Sequence, residues 1–436
     1  MGITIIEKST PRTRRLSPKL ALVLAGGAVT GGAFKLGGLA ALDDYLTGRK
    51  VTDFDLYVGL SAGALLAAPL ASGLTPKELL GTLEGIGDAP ELGWLDFYSP
   101  NLEELFWRPI EFLADLTTWF PNAAGEVWNN SPATLREVRR PLDAFWEEPN
   151  LQNGRAVAQV LLRGLQIERP FPFFLDYAPS GIFDNWRLER FLHDSFEARG
   201  LANNFRELFR SRGKELYVVA VNLDTAERVV FGHDEDAALT ISQAVQATTA
   251  LPGFYKPARI KGVDYIDGGV RRTANIDVAI EHGADLIIAY NPFRPFNNEV
   301  RPDHEGRRTH GAPLADHGLI AVANQVFRSM LHSRLHLGLN QYREDPNFRG
   351  DIILIEPSDT DESFFNMFPL NFLERKQAAD HGYLSVSSSI DAHHEALERI
   401  FERYGLPVNA RPMDEGAERI RQGLRPDELM LDAGNL

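Results

Sequence analysis

Residues 54–63 read FDLYVGLSAG, and this stretch decides how the rest of the sequence is interpreted. Its first half is typical of a buried strand, and the small apolar residues after Ser61 are typical of a helix. The pattern G-x-S-x-G places Ser61 on the sharp turn between them, which is the arrangement of a nucleophile elbow. Gly59 and Gly63 leave room for neighbouring chain at such a turn. We therefore expect the Ser61 hydroxyl to be presented at a helix N-terminus.

A second strand-turn-helix pattern lies upstream. The apolar run at residues 20–25 is followed by the loop GGAVTGG at 26–32, and residues 33–46 repeat at helical period. Such a turn presents backbone N–H groups to an anion. The P-loop pattern is absent, and the dinucleotide fingerprint fails because Ala28 stands at its second glycine. We expect this loop to stabilise an oxyanion near Ser61, with a tight packing turn as the alternative.

A third pattern lies downstream, where residues 263–269 read VDYIDGG. They predict a short strand that delivers Asp267 into a Gly-Gly turn. Apolar runs at 216–221 and 285–290 predict further strands of the buried type.

These three patterns occur in the order found in the patatin-like phospholipase family, which the sequence resembles over residues 20–292. ATTALPGFYKP at 247–257 and PSGIF at 179–183 also match the family. The resemblance implies an α/β class protein with a three-layer α/β/α patatin-like hydrolase fold, a largely parallel central sheet and a helical, aromatic-rich insertion. It also implies hydrolysis of fatty acyl esters of phospholipids, acylglycerols and related lipids.

The resemblance implies that Ser61 is the nucleophile and Asp267 its proton acceptor, a dyad without histidine. A carboxylate is a weak base for a hydroxyl, so donors aimed at the oxyanion must lower most of the barrier. The candidate donors are the backbone amides of Gly26, Gly27, Ala28 and Ala62. The motif glycines are Gly31, Gly32, Gly59, Gly63, Gly268 and Gly269.

The sequence departs from the family in the glycine loop. Ala28 stands at the family's middle glycine, and Thr30 stands where an Arg or Lys is usual. The resemblance therefore implies the nucleophile more firmly than it implies the geometry of the oxyanion site or a preference for phosphate-bearing head groups.

Histidines offer two competing interpretations. A histidine after Asp267 could complete a Ser-acid-His triad, as in ordinary α/β-hydrolases. His332 and His336 have the i,i+4 spacing of a helical metal pair but lack the intervening glutamate pattern, so we expect exposed helix residues. We predict no metal and no cofactor.

Aromatic residues concentrate in the predicted insertion at residues 89–183. We interpret it as a helical cap that covers the active site, whose tryptophans Trp107 and Trp119 touch a lipid surface. The alternative is that these rings form the private core of a static lobe. All six tryptophans lie in this segment or just beyond it: Trp94, Trp107, Trp119, Trp128, Trp146 and Trp186.

Composition limits the remaining possibilities. The 436 residues carry a net charge of −15, which argues against nucleic acid as a partner. The chain has no cysteine, which excludes disulfides and a thiol nucleophile. We divide it into a basic arm at 1–19, an acyl hydrolase domain at 20–292 and a mostly helical extension with a polar tail at 293–436. Arg12, Arg14 and Arg15 of the arm would attract anionic lipids.

Neither a signal peptide nor a membrane-spanning run is apparent, because the apolar segments are short and interrupted by glycine. We expect a cytoplasmic location, with peripheral contact with a membrane as an open question. The leading function is a serine lipid acyl hydrolase in lipid catabolism. The alternatives are a non-catalytic lipid-binding or scaffolding protein, and an esterase or depolymerase for another apolar ester. Acyl chain length, head group and oligomeric state stay open.

Overall fold

The computed structural model describes residues 2–9, 17–85, 92–148, 152–153, 156–157, 174–298 and 313–423, with no side chains described at 120–136 and 174–175. The chain divides into two compact units, one made of Met1–Ser99 with Phe183–Leu436 and the other of Pro100–Ile182. Several residues singled out in the sequence lie outside the described ranges. These are Arg12, Arg14 and Arg15 of the predicted arm, two of the histidines that follow Asp267 in the sequence (His304 and His310), and the end of the tail from residue 424.

Short strands and longer helices alternate along most of the chain. The strands are β1 Ile3–Ile6, β2 Leu20–Leu24, β3 Leu56–Gly59, β4 Ser99–Pro100, β5 Gly181–Asp184, β6 Glu215–Asn222, β7 Arg228–Phe231, β8 Gly253–Tyr255, β9 Ala258–Ile260, β10 Val263–Asp267, β11 Leu286–Tyr290 and β12 Asp351–Ile355. The helices are α1 Ala28–Tyr45, α2 Ala62–Ala71, α3 Pro76–Glu84, α4 Trp94–Phe97, α5 Leu102–Glu147, α6 Trp186–Ala198, α7 Phe205–Arg212, α8 Ile241–Thr249, α9 Ile276–Glu281, α10 Leu319–Glu344, α11 Glu362–Asn366, α12 Arg375–Ala392, α13 His394–Arg403 and α14 Ala410–Arg421.

The first unit is built on a central sheet with the strand order β1-β12-β11-β2-β3-β6-β10-β9, in which β7 also pairs with β6. The five neighbours from β12 to β6 run parallel. The outer pairings, β1 with β12 and those of β10 and β7, are antiparallel. Parallel strands occur in sheets that are covered on both faces. The five parallel strands are continuous apolar runs in the sequence, which explains why they form the middle of the sheet.

The sheet is buried on both faces, as strand β2 demonstrates. Leu20, Leu22 and Leu24 point into a core shared with α1, α2 and α12. Ala21 and Val23, which alternate with them, point into a second core shared with α9 and α10. Side chains alternate across a strand, so one continuous apolar run supplies both cores. The predicted three-layer α/β/α fold with a largely parallel sheet is therefore confirmed.

Residues after position 292 belong to the central unit. Strand β12 lies between β1 and β11 in the sheet. Helix α12 packs so closely on α1 that a Cβ at Gly37 would lie 1.8 Å from the Ala379 carbonyl oxygen. Helix α14, in the segment expected to be a polar tail, buries Met413 and Ala417 in the same core. The boundary predicted at residue 292, where the family resemblance ends, thus does not coincide with an end of the core.

The second unit, Pro100–Ile182, contains the long helix α5. Its first turn is held within the unit, because Glu104 accepts hydrogen bonds from the Ser180 backbone N at 2.6 Å and the Ser180 hydroxyl at 2.9 Å. Among the described helices, none is both long enough and apolar enough to cross a bilayer.

Candidate active site

Ser61 occupies the turn between β3 and α2 in a strained backbone conformation, with φ 52° and ψ −133°. A non-glycine residue at positive φ is uncommon and often marks a functional site. The flanking glycine explains how the turn closes, because a Cβ at Gly63 would lie 2.1 Å from the Leu24 carbonyl oxygen. The G-x-S-x-G pattern thus does what a nucleophile elbow requires sterically.

The Thr248 side chain fixes the backbone of this turn through two hydrogen bonds. Its hydroxyl accepts a hydrogen bond from the Ser61 backbone N at 2.9 Å and donates to the Val219 carbonyl at 2.5 Å. Both contacts are buried, where a satisfied hydrogen bond fixes geometry firmly. Thr248 therefore couples the Ser61 turn to strand β6 and helix α8.

The sheet register brings Asp267 level with Ser61. Gly59 lies opposite Val218 in the parallel pair β3–β6, so Ser61, two residues on, reaches the level of Ala220. Asp267 lies opposite Ala220 in the antiparallel pair β6–β10. Ser61 and Asp267 therefore lie on opposite sides of β6, at the same height along that strand.

The Asp267 carboxylate is buried, and the Ser61 side chain is near enough to lower its pKa. The carboxylate accepts a hydrogen bond from the Gly269 backbone N at 2.7 Å. Burial raises the pKa of Asp267 to about 6, although Ser61, the bond from Gly269 and the positive charge of Lys35 oppose the rise. The carboxylate is thus more basic than an exposed aspartate and still ionised at neutral pH.

Two of the predicted oxyanion donors, Ala28 and Ala62, line the same pocket as Ser61. Within the described part of the chain, the backbone N–H groups of Gly26, Gly27, Ala28 and Ala62 donate to no other protein group. Ala28, the residue at the family's middle glycine, has φ 50° at the start of α1. Amides left without partners at helix N-termini are suited to bind a negative charge.

Lys35 is a feature of the site that the sequence interpretation missed. It lies fully buried on α1, and its ammonium group donates to the backbone carbonyls of Ala25 and Gly26, the latter at 2.8 Å. Burial lowers the pKa of Lys35 to about 7, against the opposing attraction of Asp267. The signal was present in the sequence, since Lys35 is the only charged residue among the small and apolar residues from 20 to 42.

An apolar pocket opens beside Ser61 and lies within the first unit. It encloses about 120 Å³. The side chains that line it come from several helices around the site, among them Leu36, Leu66, Leu79, Leu83, Leu188, Leu192 and Phe196. Arg199 is the only charged lining residue in the described ranges. Such a pocket suits an alkyl chain better than a polar group.

Thr30 stands where the family usually has a basic residue, and its side chain is bonded within the protein. Thr30 is buried, and its hydroxyl contacts the Pro369 carbonyl at 3.3 Å. The backbone N–H groups of Val29 and Thr30 donate to the same carbonyl, at 3.0 and 3.1 Å. The C-terminal segment, rather than a ligand, thus caps this part of α1.

No histidine in the described ranges lines the pocket or hydrogen-bonds Asp267. The described residues therefore bring Ser61 and Asp267 together without the third member of a triad.

His332 and His336 do not behave as the exposed helix residues that we expected. Both are half-buried and contact the buried carboxylate of Glu356, at 3.5 and 3.2 Å. Burial pushes the pKa of Glu356 upward, but hydrogen bonds from the two histidines outweigh it and bring it to about 2. Sequence alone could not find this group, because Glu356 lies 20 residues away, just after strand β12.

Comparisons with known proteins give a consistent answer. The family model described as Patatin-like phospholipase matches residues 22–280. A curated relative named "Probable lipid hydrolase 463L", from Invertebrate iridescent virus 6, is 21% identical over 276 residues, which is 62% of this chain and 68% of the relative.

Two solved structures are also similar. That of VipD from Legionella pneumophila is aligned over 93% of this chain and 91% of its own, with 15% identity and a TM-score of 0.30. That of human GIVD cytosolic phospholipase A2 with methyl gamma-linolenyl fluorophosphonate is aligned over 89% of this chain and 59% of its own, with 12% identity and a TM-score of 0.29. The family assignment rests on the sequence match, which spans the glycine loop, the Ser61 turn and Asp267 and covers more than half of the sequence. The chain belongs to the patatin-like phospholipase family.

Proposed function

We propose that this protein is a serine lipid acyl hydrolase that works through a Ser61–Asp267 dyad and an acyl-enzyme intermediate. One observation carries the proposal: a serine on a strained turn lines an apolar pocket, and the sheet register brings a buried aspartate level with it. A nucleophile, its base and a site for an alkyl chain are the parts that ester hydrolysis of a lipid needs.

The reaction follows from the positions of these groups. Asp267 takes the Ser61 proton as Ser61 Oγ attacks the ester carbonyl, and the proton then passes to the leaving alkoxide. The amides of Gly26, Gly27, Ala28 and Ala62 stabilise the oxyanion that forms. Water, activated by Asp267, then attacks the acyl-enzyme, which releases the fatty acid and restores the Ser61 hydroxyl.

We also propose that the second unit provides contact with a lipid surface. On α5, Leu102, Phe106, Ile110 and Leu113 follow one another at intervals of four, four and three residues and are 69, 63, 41 and 57% exposed. We call these four residues the apolar face of α5. Charged residues recur at helical spacing on the opposite side: Glu104, Arg108, Glu111 and Asp115. A helix of this kind can lie in a lipid interface without spanning it.

Of the tryptophans named from sequence, Trp107 fits this proposal, since it is 55% exposed on the same helix. Trp119 is half-buried and has a contact of its own. We therefore assign lipid contact to the apolar face of α5 and Trp107, and not to Trp119.

Hydrolysis of p-nitrophenyl esters of graded chain length tests the proposed activity. We expect turnover to rise with chain length, because a longer alkyl chain fills more of the pocket, and Ser61→Ala to abolish it without changing the melting temperature. Phospholipids and triacylglycerols would then define the head group.

The alternatives predict other results in the same assay. A lipid-binding or scaffolding protein would show no Ser61-dependent turnover of any ester. An esterase or depolymerase for another apolar ester would turn over short esters and leave both lipid classes intact.

A further inference from the structure

A cluster of metal-ligating side chains lies outside the proposed active site, in the first unit. His332 and His336 project from α10 one turn apart, with ring centroids 4.0 Å apart. Glu356 follows the last residue of β12. One potential ligand atom from each of the three lies within 4.8 Å of the other two. Two imidazoles and one carboxylate are a ligand set that proteins use for Zn²⁺.

Two of the three spacings between these atoms fit tetrahedral coordination. The Nε2 atoms of His332 and His336 lie 3.5 and 3.2 Å from Glu356 Oε2. Zinc bonds of about 2.1 Å put tetrahedral ligand atoms about 3.4 Å apart and octahedral neighbours about 3.0 Å apart. The two observed separations lie on either side of the tetrahedral value, so a Zn²⁺ ion requires only small adjustments of the side chains.

The carboxylate is already oriented for this role. Asn291, which follows β11, donates from Nδ2 to Glu356 Oε1 at 2.8 Å. The Asn291 side chain is itself fixed, because its Oδ1 accepts from the Phe293 backbone N at 3.2 Å. One carboxylate oxygen is thus held by an amide while the other faces both imidazoles, as outer-shell partners do at metal sites.

Solvent can reach the cluster. The His332 and His336 side chains are 24 and 34% exposed, whereas Glu356 is 2% exposed. The arrangement therefore has a buried anionic base and an open side formed by the imidazoles. Three protein ligands with an accessible fourth position are what a zinc ion with a bound water requires.

We propose that His332, His336 and Glu356 form a Zn²⁺ site that ties helix α10 to the carboxyl ends of β11 and β12. The site supports the segment after β11, where Pro292 packs against Gly31 of the glycine loop: a Cβ at Gly31 would lie 3.2 Å from Pro292 Cγ. None of the three ligands lines the pocket beside Ser61, and an ion that binds only the folded chain stabilises it.

The test uses the full chain, free of any affinity tag and stripped of metal with a chelator. Zn²⁺ affinity is measured by competition with a chromophoric chelator for the wild type, His336→Gln, Asn291→Ala and His193→Gln. His193→Gln is the matched control, because His193, Asp194 and Glu197 form an exposed cluster of similar composition. Melting temperatures with and without Zn²⁺, and the visible spectrum of the Co²⁺-substituted protein, are recorded alongside.

We expect the wild type and His193→Gln to bind one Zn²⁺ tightly, to melt at a higher temperature with it, and to give a tetrahedral Co²⁺ spectrum. Asn291→Ala should bind roughly 10- to 100-fold more weakly, and His336→Gln more weakly still, with no rise in melting temperature. Glutamine keeps an N–H donor for Glu356 at this position, so the metal-free variant should melt close to the metal-free wild type. A wild type that binds no Zn²⁺, or a His336→Gln variant that binds as the wild type does, would overturn the proposal.

Discussion

Asp267 holds a negative charge at neutral pH in a place where burial opposes it. Its pKa in the folded chain, about 6, exceeds the ordinary value of 3.8. The folded state therefore binds the proton more tightly than the unfolded state, and stability falls as pH rises from about 4 to about 6. A difference of roughly two pKa units corresponds to about 3 kcal/mol in the free energy of unfolding above pH 6.

Asp267→Asn should accordingly be inactive yet stable. An amide cannot accept the Ser61 proton, so we expect esterase activity to fall by about 100-fold or more. The variant carries no buried charge, so it should melt at a higher temperature than the wild type at pH 8, and the gap should narrow at pH 4.5. Thermal unfolding at the two pH values measures this. A variant that melts lower by the same amount at both would show that the carboxylate serves the fold instead.

Lys35 is expected to position the glycine loop and tune Asp267. Below pH 7 it is protonated, and its charge favours the ionised form of Asp267. In Lys35→Met this charge and the hydrogen bonds to Ala25 and Gly26 are lost, so the acid limb of the pH–activity profile should move to higher pH. A lower kcat with an unmoved limb would contradict the electrostatic part of this role and leave only a structural one.

At the scale of elements, α5 is expected to carry the affinity for lipid surfaces. Phe106→Glu removes a large ring from the apolar face of α5 and adds a charge, so vesicle binding should fall roughly 10- to 100-fold. Hydrolysis of a soluble short-chain ester should not change. Leu223→Glu is the matched control, since Leu223 is an exposed apolar residue of the first unit. Equal losses on vesicles and on the soluble ester would indicate that Phe106 supports the fold of its own unit.

The Ser61 and Asp267 turns could be predicted from sequence because each is encoded in a few adjacent residues. Strand, glycine and reactive side chain follow one another directly, so local sterics determine the outcome. Thr248 and Glu356 were not predicted, because their partners come from other elements that meet only in the folded sheet. Lys35 was missed although its place as a lone charge in an apolar stretch is visible in the sequence. Element bounds were also approximate: the helix expected at residues 33–46 begins earlier, as α1 at Ala28–Tyr45.

At the scale of the whole molecule, the range of the family resemblance did not predict the extent of the core. The residues after 292 lie beyond that resemblance, yet β12 completes the parallel sheet and α12 covers α1. Polar residues on one face of a helix do not indicate whether the other face is buried. Pairing between β12 and β11 joins segments some 65 positions apart in the sequence. Fold class could therefore be predicted from local patterns, and the limits of the core could not.

A chain that ends at residue 292 should consequently fail to fold. It would expose the β11 edge, where β12 pairs, and the face of α1 against which α12 packs. We expect no cooperative thermal transition, measured by circular dichroism. A chain that ends at residue 423 keeps every described element and should melt as the full chain does. A cooperative transition in the 1–292 chain would contradict the conclusion that the C-terminal region is part of the core.

The most direct test of the central claim is covalent labelling by a long-chain alkyl fluorophosphonate, followed by peptide mapping with mass spectrometry. If Ser61 is the nucleophile and Asp267 its base, the wild type should carry one label, on Ser61, because phosphorus stands in for the ester carbonyl at the same oxygen. Ser61→Ala should carry none, and Asp267→Asn should react at least about 100-fold more slowly. A folded wild type that stays unlabelled, or a label on another residue that persists in Ser61→Ala, would contradict the account.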